Sequence, residues 1–116
     1  VESQELARTV ARFALEKKAH DIIILDLRSL SDMTDFFVIC HGDSDTHVKA
    51  IAESITDKMI PVAGKVHHHE GKQNLHWVLL DYVHVVAHIF LPATRQFYSL
   101  ERLWGDAPVE EIHEDV

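Results

Sequence analysis

The sequence predicts an α/β fold, a single compact domain in which helices pack on a mixed sheet of about five strands in the order αββαβββα. Three observations carry this. Two apolar runs rich in β-branched residues, within residues 77–90, flank an acidic, aromatic break at Asp81-Tyr82, as in adjacent strands joined by a short turn. Two earlier segments repeat apolar residues at helical spacing. The length of 116 residues fits one domain with a real core and is too short for two.

Taken in order, Ser3 is placed to cap a helix whose Leu6, Val10, Phe13 and Ala14 share one face while Glu5, Arg8, Arg12 and Glu16 lie elsewhere. This helix should stop near Ala19-His20. Residues 21–27 then form a continuous apolar run bounded by acids, which suits a strand covered on both faces. Arg28 to Thr34 carries turn residues, and Asp35 to Cys40 is a second buried strand. A link of about seven residues is too short for a helical crossover, so these two strands should be antiparallel neighbours.

Gly42 ends that strand, and Ser44 or Asp45 is placed to cap a helix with Val48, Ile51, Ala52, Ile55 and Met59 on one stripe. Pro61 disfavours helical geometry at Ile60, so the helix should end or kink there. Lys65 to Glu70 has the length of a strand but little apolar content, which places it at an edge. The loop Gly71 to Asn74 leads into the hairpin. Beyond Leu91, Pro92 opens a helix that leads into Leu100 to Trp104, and Gly105 to Pro108 breaks the pattern. The last eight residues, 109–116, hold four acids and read as a mobile, solvated tail, leaving 1–108 as the domain.

Composition narrows the function classes. A formal charge of −8 opposes docking on a bare phosphate backbone, where affinity comes from clustered Lys and Arg, and favours a basic protein surface as partner. No direct nucleic-acid specificity is expected. No apolar run approaches the roughly 20 residues needed to span a bilayer, so no membrane association and a cytoplasmic location are expected. The single cysteine, Cys40, sits among Phe37, Val38 and Ile39 and reads as an inert core thiol.

Ten histidines raise the question of a metal. His84 and His88 have the spacing that places two ligands on one helical face, but their β-branched surroundings favour a strand, in which they stand about 13 Å apart. His67, His68 and His69 would alternate between faces of an edge strand, so His67 and His69 share a face about 6.6 Å apart and could bridge a zinc only with help from Glu70 or His76. No metal site and no cofactor are expected. The turn Gly42-Asp43-Ser44, between strand and helix, is like the phosphate-cradling turn of nucleotidyltransferases. That chemistry needs at least two carboxylates on a metal pair, and Val83 stands where the partner of Asp81 would be. The nucleophile elbow Gly-x-Ser-x-Gly is missing too. Trp77, Tyr82, Tyr98 and Trp104, interleaved with Glu70, Asp81 and Glu101, instead have the make-up of a protein interface, with Trp104 assigned to core packing.

The segments Thr34 to Ile39, Gly42-x-Ser44, Glu70-Gly71, Trp77-Val78-Leu79-Leu80-Asp81-Tyr82, Val86-x-His88-Ile89-Phe90 and Arg95-x-Phe97-Tyr98-x-Leu100-Glu101-Arg102-Leu103-Trp104 follow one another in the order and spacing of the ribosomal silencing factors, the Iojap family. The chain resembles that family from about Leu6 to Pro108. The resemblance implies a fold related to the nucleotidyltransferases without their catalytic acids, and a factor that is not an enzyme. It implies binding to the large ribosomal subunit through ribosomal protein uL14, which blocks joining of the small subunit and represses translation, and in some members a part in large-subunit biogenesis. Carried over by position, Glu70, Trp77, Asp81, Tyr82 and Tyr98 are the expected partner-binding residues. The alternative is a nucleotidyltransferase-like, metal-dependent nucleotide-binding enzyme that recruits Asp43 or Glu70 as its missing acid. Apolar edge strands and the first helix would permit a homodimer. Members commonly show Asp-Tyr-Gly-Asp at the hairpin turn, where this chain has Asp81-Tyr82-Val83-His84, so the turn loses a glycine and an acid.

Overall fold

The computed structural model describes residues 2–114. Its elements are α1 (Ser3–Leu15), β1 (His20–Asp26), β2 (Phe36–His41), α2 (Asp45–Ala63), β3 (His68–Glu70), β4 (Trp77–Asp81), β5 (Val85–Phe90), α3 (Pro92–Tyr98), α4 (Leu100–Leu103) and β6 (Val109–Ile112). The strands form one mixed sheet in the order β3-β4-β5-β2-β1-β6. Only β2 and β5 run parallel, and the chain between them carries α2. The other pairs are antiparallel, including β1 with β2 and the β4–β5 hairpin, as expected from the sequence. Among the described residues no helix is long and apolar enough to cross a membrane.

Strand periodicity divides the core in two. On one face Ile22, Ile24, Phe36, Val38, Val78, Leu80, Val85 and Ala87 pack under α1 and α2, which contribute Leu6, Val10, Ile51, Ile55 and Met59. The opposite face holds a smaller cluster, Leu25, Leu27, Ile39 and Phe90, roofed by Leu100, Trp104 and Ala107 around the short α4. Every residue of β5 is buried, because this strand lies inside the sheet with apolar layers on both sides. Cys40 is buried in the larger cluster, and burial pushes its thiol up to about 12, so it is an unreactive core group.

Several expectations are corrected. The sheet has six strands, and the expected mobile tail supplies the sixth. Val109–Ile112 pairs antiparallel with β1, and Arg8 Nε donates to a Glu110 carboxylate oxygen at 3.1 Å. The free edge of β1 needs partners for its backbone N–H and C=O groups, and that need outweighs the acidic composition. Residues 115 and 116 of the expected tail lie outside the described residues. Glu2, not Ser3, occupies the cap of α1, which ends at Leu15, ahead of Ala19-His20, because Lys18 turns the chain with a φ of +59°. Ser44 does cap α2, accepting from the His47 N–H.

Pro61 neither ends nor breaks α2, which runs on to Ala63 and stops at Gly64 with a φ of +81°. A proline so near the end deprives only the carbonyl of Asp57, which is exposed and able to bond water. The β3 edge and α1 do not present the apolar surface that would permit a homodimer. The edge strand β3 is three exposed residues, His68-His69-Glu70, and the apolar stripe of α1 is buried on its own sheet.

The hairpin turn carries strain. Val83 has a φ of +74°, the His84 N–H donates to the Tyr82 carbonyl at 2.9 Å, and Asp81 Oδ1 accepts from the Val83 N–H at 2.7 Å. A β-branched residue in a positive-φ γ-turn is disfavoured, and this is the position at which a glycine is commonplace in the resembling family. Val83→Gly should therefore raise unfolding free energy by about 0.5–1 kcal/mol, relief of the left-handed penalty exceeding the entropy cost of glycine. Urea denaturation of the two proteins measures this, and a destabilised variant would contradict it.

Candidate functional site

On β4 the side chains of Trp77, Leu79 and Asp81 point away from α1 and α2, while Val78 and Leu80 point toward them. The register sets Trp77 beside Phe90, Leu79 between Glu70 and His88, and Asp81 between His68 and Val86. Pro92 starts α3 directly after β5, so this helix crosses the same face at its β5 end. The Trp77 ring meets Tyr98 at 4.8 Å and Phe90 at 4.9 Å between centroids.

Between the β3–β4 edge and α3 lies a groove of about 650 Å³, whose walls include Glu70, Gly71, Trp77, Leu79, Phe97 and Tyr98. Gly71 is required there. It has a φ of +83°, and a Cβ on it would come within 1.8 Å of the Trp77 carbonyl oxygen. The bare backbone lets the loop close against Trp77 and brings Glu70 to the groove. Phe97 is 81% exposed and Leu103 72%, large apolar side chains left uncovered by a helix pair too short to bury both faces.

Beneath the groove His88 is 4% exposed. The Trp77 indole N–H donates to its Nδ1 at 3.1 Å, which leaves the proton of the neutral ring on Nε2, and Phe37 packs edge-on at 4.4 Å. Burial drives the imidazole down to about 4. Trp77 is thus held in place by two aromatic rings and one hydrogen bond. Arg95 fixes α3 to its surroundings, its Nε donating to Glu101 Oε1 at 2.8 Å and its Nη1 to His41 Nδ1 at 2.9 Å.

Of the five residues expected to bind a partner, the structure gathers Glu70, Trp77 and Tyr98 at one groove. Asp81 shares their face but sits at the far end of β4, about 13 Å from Trp77 by strand rise, with one oxygen engaged by the turn. Tyr82 is elsewhere. It is 7% exposed, packs in the larger core under α1 and α2, and burial pushes its hydroxyl up to about 12. Strand parity turns it away from Trp77, which spacing in the sequence does not reveal. Phe97 was missed, since α3 spans seven residues and shows too little periodicity to reveal an outward face, and Leu79 was missed because it reads as one more apolar residue of a strand.

The acids needed for nucleotidyl transfer are not assembled. The Gly42 turn follows the end of β2 and bonds Phe90, whereas Asp81 pairs with Val86 four residues back along β5, about 13 Å away. Glu70 lies on β3, with β4 and β5 between it and β2. Trp104 packs edge-on to Phe37 in the smaller core, as expected.

Residues 1–116 match a family model described as ribosomal silencing factor during starvation. A relative from Bacillus subtilis named ribosomal silencing factor is 43% identical over 97 residues, covering 84% of this chain and 82% of its own. A mouse protein named mitochondrial assembly of ribosomal large subunit protein 1 is 30% identical, covering 77% of this chain and 40% of its own length. Among solved structures, a crystal structure of a Chromobacterium violaceum protein superposes with a TM-score of 0.87 at 35% identity, covering 90% of this chain and 88% of that one.

His88 should make stability depend on pH. Its ring titrates at about 4 in the folded chain against 6.5 for the ordinary group, so the unfolded chain binds the proton first as pH falls. The contribution is complete above pH 6.5 and is lost between 6.5 and 4, reaching about 3 kcal/mol in full. His88→Gln, which keeps an acceptor for Trp77, should lose less stability over that window in urea titrations. Equal pH slopes for the two proteins would contradict this.

Proposed function

Because the chain belongs to the ribosomal silencing factor family, we propose that it binds the large ribosomal subunit through ribosomal protein uL14 and blocks joining of the small subunit, repressing translation. The observation that carries this proposal is the groove that draws Glu70, Trp77 and Tyr98 together beside the exposed Phe97. Interfaces take most of their affinity from a few aromatic anchors seated against a rigid floor, and Trp77 on Phe90 and His88 is such an anchor. The net charge of −8 suits a basic ribosomal protein, for which an acidic partner provides steering and register. Asp81 extends the same face toward the hairpin turn. Tyr82 supports the site from within the core and does not touch the partner.

The factor acts by occupying a surface, without catalysis. This agrees with relatives named as silencing factors and with the dispersed carboxylates described above. A part in large-subunit assembly is a second aspect of the same binding, supported by the name of the mouse relative.

Co-sedimentation of the purified chain with isolated large subunits, small subunits and joined ribosomes tests the proposal. The expected result is binding to the large subunit alone, weakened by salt, with the small subunit excluded. Tyr98→Ala with Phe97→Ala should lower affinity by about tenfold or more, and Glu70→Lys should slow association at low salt. Tyr82→Phe should leave binding unchanged and cost little stability, its hydroxyl having no hydrogen-bond partner among the described residues. Full affinity in the double variant would overturn the site. Failure to bind any ribosomal particle would overturn the function.

A further inference from the structure

Away from the groove, at the opposite side of the sheet's β5 end, three donors meet that lie far apart in sequence. His20 opens β1, Asp43 lies in the turn after β2, and His47 is in the first turn of α2. One ligand atom from each lies within 4.8 Å of the others. His20 Nε2 stands 3.0 Å from Asp43 Oδ1, and His47 Nδ1 stands 3.7 Å from Asp43 Oδ2. In a tetrahedral zinc site with bonds of about 2.0–2.1 Å, neighbouring ligand atoms are about 3.4 Å apart. These two separations, each to a different oxygen of the one carboxylate, straddle that value.

We propose that His20 Nε2, His47 Nδ1 and the Asp43 carboxylate form a binding site for a divalent transition cation of the zinc class, with a further position left to water. The local structure prepares the donors. His47 Nε2 lies 2.7 Å from the Lys17 carbonyl, an acceptor, which puts the ring proton on Nε2 and the lone pair on Nδ1. This is how a ligating histidine is oriented in metal sites generally. Gly42 makes room for the ring, since a Cβ there would come within 3.1 Å of the His47 Cγ.

His20 is aimed by irregular backbone. Asp21 has a φ of +47°, and the β1–β2 register shifts between His20 and Ile23, a bulge that turns His20 toward the loop. His41, whose ring lies 5.5 Å from that of His20, is no ligand, because its Nδ1 accepts from Arg95. The Arg95 charge is in turn paired with Glu101. At present the His47 Nδ1 lone pair accepts from the Asp43 backbone N–H at 2.9 Å. Metal would replace that bond, and the loop is exposed enough for the freed N–H to turn to water. A bound cation would tie the start of β1, the turn and α2 together and so stabilise the fold.

Zinc sulfate titrated calorimetrically into the full chain, prepared without a histidine tag, tests this. The expected result is one zinc per chain and a melting temperature that rises with zinc concentration. Asp43→Asn, at an exposed position that the fold does not depend on, and His47→Gln should each weaken binding by more than about tenfold, since even outer-shell partners of a metal cost that much. His67→Gln with His69→Gln should leave it intact. Cobalt(II) in place of zinc should give the visible absorption of a tetrahedral site, lost in Asp43→Asn. No zinc binding, or binding abolished by the His67/His69 pair and untouched by Asp43→Asn, would overturn the proposal.

Discussion

Everything in this fold answers to the burial of β5. A strand that is buried at every residue must be covered on both faces, and this chain meets the requirement unequally. The thirteen residues of α1 and nineteen of α2 cover one face completely. The other face is given to α3 and α4, whose combined length is less than that of α1. They roof Leu25, Ile39 and Phe90 but do not reach the β3–β4 edge. The groove at Trp77 is what remains uncovered, and its aromatic walls follow from the same shortage of helix.

The uncovered surface is nonetheless rigid. Trp77 is held by Phe90, Tyr98 and the His88 imidazole, and Gly71 lets the adjoining loop close against its backbone. A preformed aromatic site loses little conformational entropy on binding, as the proposed attachment to a basic partner requires. The strained γ-turn at Val83 lies at the other end of β4, beside Asp81 and away from Trp77.

Much of this was legible in the sequence wherever long-range periodicity decided the outcome. The antiparallel pair β1–β2, the Ser44 cap, the polar edge strand and the hairpin follow from apolar spacing and turn residues alone. The strand β6 did not, because four residues with two acids, Val109-Glu110-Glu111-Ile112, become a strand only when the free edge of β1 is present to pair with them. Pro61 misled for a similar reason, since its cost depends on whether the deprived carbonyl is exposed. Of the expected site residues, Glu70, Trp77 and Tyr98 come together through the fold. Tyr82 does not, because a single step along a strand reverses a side chain, and neither composition nor spacing says which parity faces the core. The meeting of His20, Asp43 and His47 was not legible, since it depends on a bulge and a loop that bring distant positions together, while the conspicuous run His67-His68-His69 drew attention elsewhere.

In the proposed function the half-covered face of the sheet, and not the helical face, meets the ribosome. Hydrogen–deuterium exchange of the full chain, free and saturated with large ribosomal subunits, tests this most directly. The expected result is new protection within residues 68–81 and 92–103, with α1 and α2 unchanged. Protection confined to α1 and α2, with the Trp77 groove exchanging as in the free chain, would contradict it.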